Sequence, residues 1–442
     1  MSVINPEGLP KDEPVGQLGP EPWLSAPATK AVLAALTADG AEVRFVGGCV
    51  RDSVLHRPVR DIDIATHDPP ETVMTLLERA GIRAVPTGID HGTVTAVIPG
   101  PDGNAHFEIT TLRRDVETDG RHARVAFDAD WTTDAARRDF TINALFCTPD
   151  GRIYDPFGGL ADLGSGRIRF VGDAMKRVDE DALRILRFFR IYAHYGAPPP
   201  NTLAVVACRA QANKLTTLSG ERIASEVLRL LEAPDPTSVL LLMFGEHILE
   251  SILPEAQDFG RLRVLTFLDT RGILRPRVGM DRLRRLAAVL PADAAAAERV
   301  ALRLKLSNAQ AERLIAMAAP AEVPDPASGV AKARRLLYRI GADAMVDLVL
   351  LAWAGRRSVD AKLAGNNDQW IALIDAALEW QPVRLPVSGA DVLALDVAPG
   401  PRVGELLAEV ERWWIDGDFR ASRDEALARL AEAAKFDEKR VR

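Results

Sequence analysis

Cysteine is nearly absent from this sequence: three in 442 residues, Cys49, Cys147 and Cys208. They are scattered and no Cys-x-x-Cys occurs, so neither a zinc site nor a disulfide framework is indicated, and a reduced, cytoplasmic setting fits. Long apolar runs are missing as well. The longest, near Val239–Phe244, is far too short to span a bilayer. Residues 1–25 are rich in Pro, Gly and acid up to about Pro22; they lack the apolar core of a signal peptide and read as a flexible arm. Positive charge is not in excess either: the net charge is −7, so any contact with nucleic acid has to come from local basic patches. What remains is a chain with 47% apolar residues, long enough for roughly two to four globular domains.

Residues 45–64 read as a strand, a glycine turn, a short helix ended by Pro58, and a second strand. Gly47-Gly48 lets the backbone approach something closely. On the second strand Asp61 and Asp63 share one face, while Ile62 and Ile64 face a core. Two carboxylates on one face repel unless a cation lies between them, and hard oxygen ligands suit Mg²⁺. A glycine turn leading into a helix suits phosphate, and Arg51 is placed to add a bidentate phosphate contact. A lone Asp-x-Asp is an ordinary surface feature; the combination describes a metal–triphosphate site.

Further on, Pro69-Pro70-Glu71 opens a helix through Ala80. Ile89–Ile98 and Ala105–Thr111 read as strands joined by a Pro/Gly/Asp turn. His91, before the first of them, is read as a structural or hydrogen-bonding residue in preference to a catalytic one. Glu108 points away from Phe107 and Ile109, either to solvent or beside Asp61 and Asp63 as a third carboxylate. Arg138-Asp139 reads as a helix start with Asp139 as cap, and Ile142 and Leu145 as inward packing. From about Ala174 the pattern is helix after helix. In Asp179–Arg190, Leu183, Leu186 and Phe189 make an apolar face, while Asp181, Arg184, Arg187 and Arg190 recur every three residues. That row is either a salt-bridged helix face or a ligand-reading one.

The string Gly-Gly-Cys-Val-Arg-Asp (47–52) followed by Arg-Asp-Ile-Asp (60–63) resembles the signature of the class II nucleotidyltransferases, the tRNA CCA-adding enzymes and bacterial poly(A) polymerases. Arg-Arg-Asp (137–139) and Glu-Asp-x-x-Arg (180–184) match further motifs of that family. The resemblance implies an α+β fold: a polymerase β-like mixed-sheet head (26–165), a helical neck (166–255), and a helical body and tail (256–442) that hold tRNA. It implies metal binding by Asp61 and Asp63 with Glu108 as third acid. Phosphate would fall to Gly48 and Arg51, and sugar and triphosphate to Arg138, Asp139 and Asn143. Asp181 and Arg184 would read the base, supported by Arg187 and Arg190. Residues 110–115 and 119–127 resemble the family's mobile loop.

The base-reading role has its own chemistry. Cytosine and adenine both show an amino donor beside a ring-nitrogen acceptor, which suit a carboxylate and a guanidinium. Uracil and guanine reverse that order and would leave charges unpaired. The expected activity is Mg²⁺-dependent addition of C, C and A to tRNA 3′ ends from CTP and ATP, without an RNA template. The alternatives are a poly(A) polymerase, a partial CC- or A-adding enzyme, or a silent RNA-binding protein, which the intact carboxylate set argues against. The resemblance is strong over roughly 40–230 and patchier to about 420. No histidine follows His247, so the metal-dependent phosphohydrolase domain of some relatives is not expected. Arginines of 271–285 and basic residues of 332–339 are candidate phosphate contacts or plain helix faces. Leu385–Asp391 and Pro399–Gly404 resemble the tRNA-gripping tail. Neither a membrane nor an obligatory protein partner is expected.

Overall fold

The computed structural model describes residues 13–438, apart from 102, 120, 121, 128, 129, 274, 276, 361, 363 and 364. The chain divides into two compact units, Met1–Pro254 and Glu255–Arg442.

Short runs rich in β-branched and aromatic residues give the first unit its strands: β1 (Gly16–Gln17), β2 (Val43–Val46), β3 (Ile62–Thr66), β4 (Arg83–Gly88), β5 (Thr93–Ile98), β6 (Ala105–Thr111), β7 (Arg114–Asp119), β8 (His122–Ala126), β9 (Phe146–Cys147) and β10 (Arg152–Tyr154). Eight form one sheet, in the order β1-β10-β9-β2-β3-β6-β5-β4; β7 and β8 form a separate hairpin. The sheet is mixed, because β3 and β6 run parallel while the other pairs are antiparallel. Helices Pro27–Leu36 and Pro70–Arg79 pack together and bury Val32, Leu36, Val73, Leu76 and Leu77. Phe45, Ile64, Phe107 and Ile109 are fully buried in the sheet, each worth about 1.5–3 kcal/mol of transfer free energy. That burial locks the period-two alternation that turns Asp63 and Glu108 the other way.

Two expectations are corrected here, the loose arm and the single helix over 179–190. The arm is not loose from Val15 onward. Val15 and Leu18 bond to β10 and the Gly151 turn, and Trp23 packs edge-on against Phe45 at 4.8 Å, its indole N–H donating to Ser53 Oγ at 2.8 Å. Residues 1–12 lie outside the described residues. The stretch expected as a mobile loop contains the β7–β8 hairpin, with 120, 121, 128 and 129 outside the described residues. The helix expected over 179–190 is two helices, Ala174–Glu180 and Leu183–Tyr195, broken at Asp181, whose backbone is extended (φ −152°, ψ 110°). The Asp181 carboxylate accepts from the Leu183 N–H at 3.0 Å, a local bond that competes with helix continuation.

The second unit is helical throughout its described elements, beginning with Phe259–Phe267 and ending with Arg423–Glu438. Trp353 and Trp370 stack with ring centroids 6.0 Å apart, and a separate cluster around Val392, Leu406, Val410 and Leu430 holds the last helices together. The basic stretches are largely taken up by carboxylates. Arg285 pairs with Asp269, Arg284 with Asp347 and Arg275 with Asp375. Lys332 and Arg339 share Glu322, and Arg334 and Arg335 pair with Asp418 and Asp416. Among the described residues no helix is long and apolar enough to cross a membrane.

Candidate active site

The glycine turn leaves β2 with Gly47 at φ 73°, ψ −124°, a conformation that side chains resist. A Cβ there would lie 3.8 Å from both Asp63 Oδ2 and Arg138 Nη1, so the turn passes closely between an acid and a guanidinium. Asp63 sits on β3 directly opposite Glu108 on β6. Asp61 precedes the strand and is exposed. Burial, then Glu108 and Asp61, push the Asp63 carboxyl up to about 6, against the pull of Arg138 and Arg51. Glu108 and Asp61 thus both bear on Asp63 electrostatically. The three acids do not close into a ready-made cage: among the described residues no group of three or more His, Cys, Asp or Glu converges as a metal site.

Arg51 is buried on the short Gly48–Val54 helix, and the expected bidentate phosphate grip is corrected. Its Nε and Nη2 donate to Asp52 at 2.9 and 3.1 Å, Nη2 also to Tyr195 Oη at 2.7 Å, and Nη1 to Asn143 Oδ1 at 2.6 Å. Of five N–H groups, one on Nη1 is left for a ligand. Arg138 donates to the buried Asp134 at 2.9 Å, while its Nε is buried without a partner. Burial works to raise Asp134, but Arg138 and Arg137 hold it below the usual carboxylate range.

Asp139 is not the helix cap the sequence led us to expect. Phe140 takes the cap position of the single turn Thr141–Asn143, and Asp139 turns inward. It accepts from the Phe140 N–H at 2.8 Å, Asn143 Nδ2 at 3.1 Å and Arg187 Nε at 2.9 Å. Against burial, Arg187 and these two donors hold its carboxyl near about 2, ionised at neutral pH. Ile142 and Leu145 are fully buried, as expected.

Asp181 sits at the helix break and Arg184 in the first turn of the helix that follows it, each with a different partner. Arg222 Nη2 donates to Asp181 at 2.9 Å; Arg184 Nη1 donates to Glu180 at 2.5 Å and to the Arg177 carbonyl at 2.8 Å. Arg190 Nε donates to the buried Glu226 at 2.5 Å.

These elements enclose one cleft of about 400 Å³. Gly48, Arg51, Asp63, Arg138, Asp139, Asp181, Arg184, Arg187 and Arg190 all line it; Asp61 and Glu108 do not, and stand at its edge through Asp63. His91 is not a lining residue and offers its carbonyl to Arg113. Sequence reasoning missed Asp52, Tyr195, Arg222 and Glu226. The last two stand four residues apart on the Gly220–Leu231 helix, and that spacing was their signal.

The family model described as "Poly A polymerase head domain" matches residues 43–169, and that described as "Probable RNA and SrmB- binding site of polymerase A" matches 200–259. The mitochondrial CCA tRNA nucleotidyltransferase 1 of Danio rerio is 33% identical over 412 residues, 89% of this chain and 88% of that protein. The CCA-adding enzyme of Streptococcus sanguinis is 33% identical over 403 residues, 87% of this chain and 92% of that one. The crystal structure of the Bacillus stearothermophilus CCA-adding enzyme in complex with CTP superposes with a TM-score of 0.72 at 26% identity, covering 94% of this chain and all of that one. With motif, fold and near full-length similarity in agreement, the chain belongs to the class II family of CCA-adding enzymes and poly(A) polymerases.

Proposed function

We propose that the protein adds C, C and A to tRNA 3′ ends from CTP and ATP, with its own side chains serving as the template. The observation that carries this reading is the shared cleft: the acid side (Asp63), the cationic middle (Arg51, Arg138) and the base side (Asp181, Arg184) line one cavity of about 400 Å³. Relatives with near full-length similarity are CCA-adding by name, which favours tRNA over generic RNA.

In this reading Arg138, with its unsatisfied buried Nε, and the remaining N–H of Arg51 take the triphosphate. Asp139 and Asn143 hold the sugar end, with Arg187 keeping Asp139 ionised. Asp181 accepts from the base amino group and Arg184 donates to the ring nitrogen. To do so they exchange Arg222 and Glu180 for the base edge, so only a base that satisfies both charges repays the exchange. Arg190, anchored on Glu226, backs the same helix.

Nucleotidyltransferases of this family generally use a divalent metal. The donor set fits one: three hard carboxylates, with Asp63 pushed up to about 6 by burial and by the other two acids. Asp61, Asp63 and Glu108 would hold it, and Mg²⁺ is the ion such oxygens favour. When bound, the ion supplies charge neutralisation of the triphosphate and acidification of the RNA 3′-hydroxyl.

Residues 26–165 serve as head, 166–255 as neck, and 256–442 as the tRNA-holding body and tail. A reduced, cytoplasmic setting is proposed on the three free, buried cysteines; the vertebrate relatives, mitochondrial by name, lend it no support.

The test is extension of tRNA lacking its 3′ C-C-A. CTP alone should give two additions, ATP should then give one, and UTP and GTP none. Efficient tailing of generic RNA with ATP, and no CTP incorporation, would replace this reading with a poly(A) polymerase.

A further inference from the structure

Arg51 owes its position to a residue 144 places away in sequence. Tyr195 is the last residue of the Leu183–Tyr195 helix. Its hydroxyl accepts from Arg51 Nη2 at 2.7 Å and donates to Asp52 Oδ1 at 2.9 Å. Its ring lies under the Arg51 guanidinium, with Cζ 4.0 Å from the centroid. Burial pushes the phenol above its ordinary value, so it remains a donor at neutral pH. Arg57 borders the same ring at 4.6 Å, and its Nη1 donates to the His194 carbonyl at 3.0 Å.

On the other side, Arg51 Nη1 donates to Asn143, which donates to Asp139, which accepts from Arg187. Arg187 and Tyr195 stand on the same helix, eight residues or about 12 Å apart. The side chains thus form a closed circuit: neck helix, Tyr195, Arg51, Asn143, Asp139, Arg187, and back to the helix. We propose that Tyr195 is a positioning residue for nucleotide binding, holding Arg51 at the triphosphate in fixed relation to the helix that carries Arg184. The inference rests on the function proposed above and extends it to a residue that does not line the cleft.

Tyr195→Phe keeps the ring and loses the hydroxyl; Tyr195→Leu loses both. Removing the hydroxyl's two hydrogen bonds, to Arg51 and to Asp52, acts on the nucleotide only through the placement of Arg51, and should raise KM for CTP and ATP alike by roughly five- to tenfold. kcat should stay within about twofold, and the preference for CTP over UTP should be unchanged, because the base edge is read elsewhere. Tyr195→Leu should be worse in KM. In an Arg51→Lys background, Tyr195→Phe should add less than about twofold, since the partner through which it acts is already altered. A wild-type KM in Tyr195→Phe, or an undiminished loss in the Arg51→Lys background, would overturn the proposal. A wild-type protein that fails to extend tRNA strikes the functional reading instead; the same variants are then compared by calorimetric CTP binding, where equal affinities of wild type and Tyr195→Phe would overturn the positioning role.

Discussion

Arginine–carboxylate pairs occur in both units and serve opposite ends. In the second unit Arg285 and Asp269 are 2.8 Å apart with neither side chain exposed, and Arg284–Asp347 is almost as closed at 7% and 3%. Burial pushes the Asp269 carboxyl up even with Arg285 bonded to it, the mark of a desolvation cost that the pairing offsets without much surplus. In the first unit the pairs open onto a cleft: Arg187–Asp139 is 40% and 9% exposed, Arg222–Asp181 27% and 21%. A closed pair has no other partner to take. A half-open pair can trade its partner for a ligand, and that separates a binding site from a structural brace built of the same residues.

The comparison can be broken at several points. Asp63→Ala should lower nucleotide incorporation on the order of a thousandfold or more in single-turnover assays, while the melting temperature holds or rises, because a crowded buried acid is removed. Retained activity would detach the carboxylates from the chemistry. Arg285→Met should cost about 3–5 kcal/mol in denaturant unfolding, and adding Asp269→Leu should recover much of it, with activity per folded molecule unchanged. A body pair whose loss changes nucleotide selection would erase the distinction between the units. Asp181→Ala should reduce the CTP-over-UTP preference by roughly 10- to 100-fold with little change in melting; intact selectivity would move base reading elsewhere.

The smallest effect concerns pH. Asp139 is held at about 2 in the folded protein, below its ordinary value of 3.8. Its ionised form therefore stabilises the fold, by roughly 2 kcal/mol. That contribution is fully present above about pH 4 and is lost as pH falls through about 2. Asp139→Asn should flatten that segment of the stability–pH curve, and a curve superimposable on wild type would show that the Arg187 pairing contributes nothing.

Much of the cleft was legible in the sequence because its residues sit in contiguous strings: Gly47-Gly48, Asp61-x-Asp63, Arg138-Asp139 and Glu180-Asp181-x-x-Arg184. Strand periodicity turned Glu108 away from Phe107 and Ile109, and the family resemblance chose the side of Asp63 over solvent. Hydrogen-bond partners distant in sequence were not legible. No local pattern says that Arg51 turns to Asn143 and Tyr195, or that Asp139 prefers Arg187 to a cap position. The helix break at Asp181 was hidden for a related reason: a three-residue recurrence of charge continues through it, and one side-chain bond to the Leu183 N–H decides otherwise. For the arginines of 271–285 the sequence left phosphate contact and plain helix face open, because composition carries no information about burial.

Trp23 carries a practical warning. On the sequence it belongs to a tail one would trim before crystallisation or fusion. Its indole is hydrogen-bonded to Ser53, two residues beyond Arg51 on the same short helix, and its ring abuts Phe45 just ahead of the glycine turn. Cutting the chain at Ala26 would strip the outer lining from that helix and leave β10 as a raw sheet edge open to strand pairing between molecules. Shortened versions should be poorly soluble and weak in nucleotide affinity, although every motif residue would still be present.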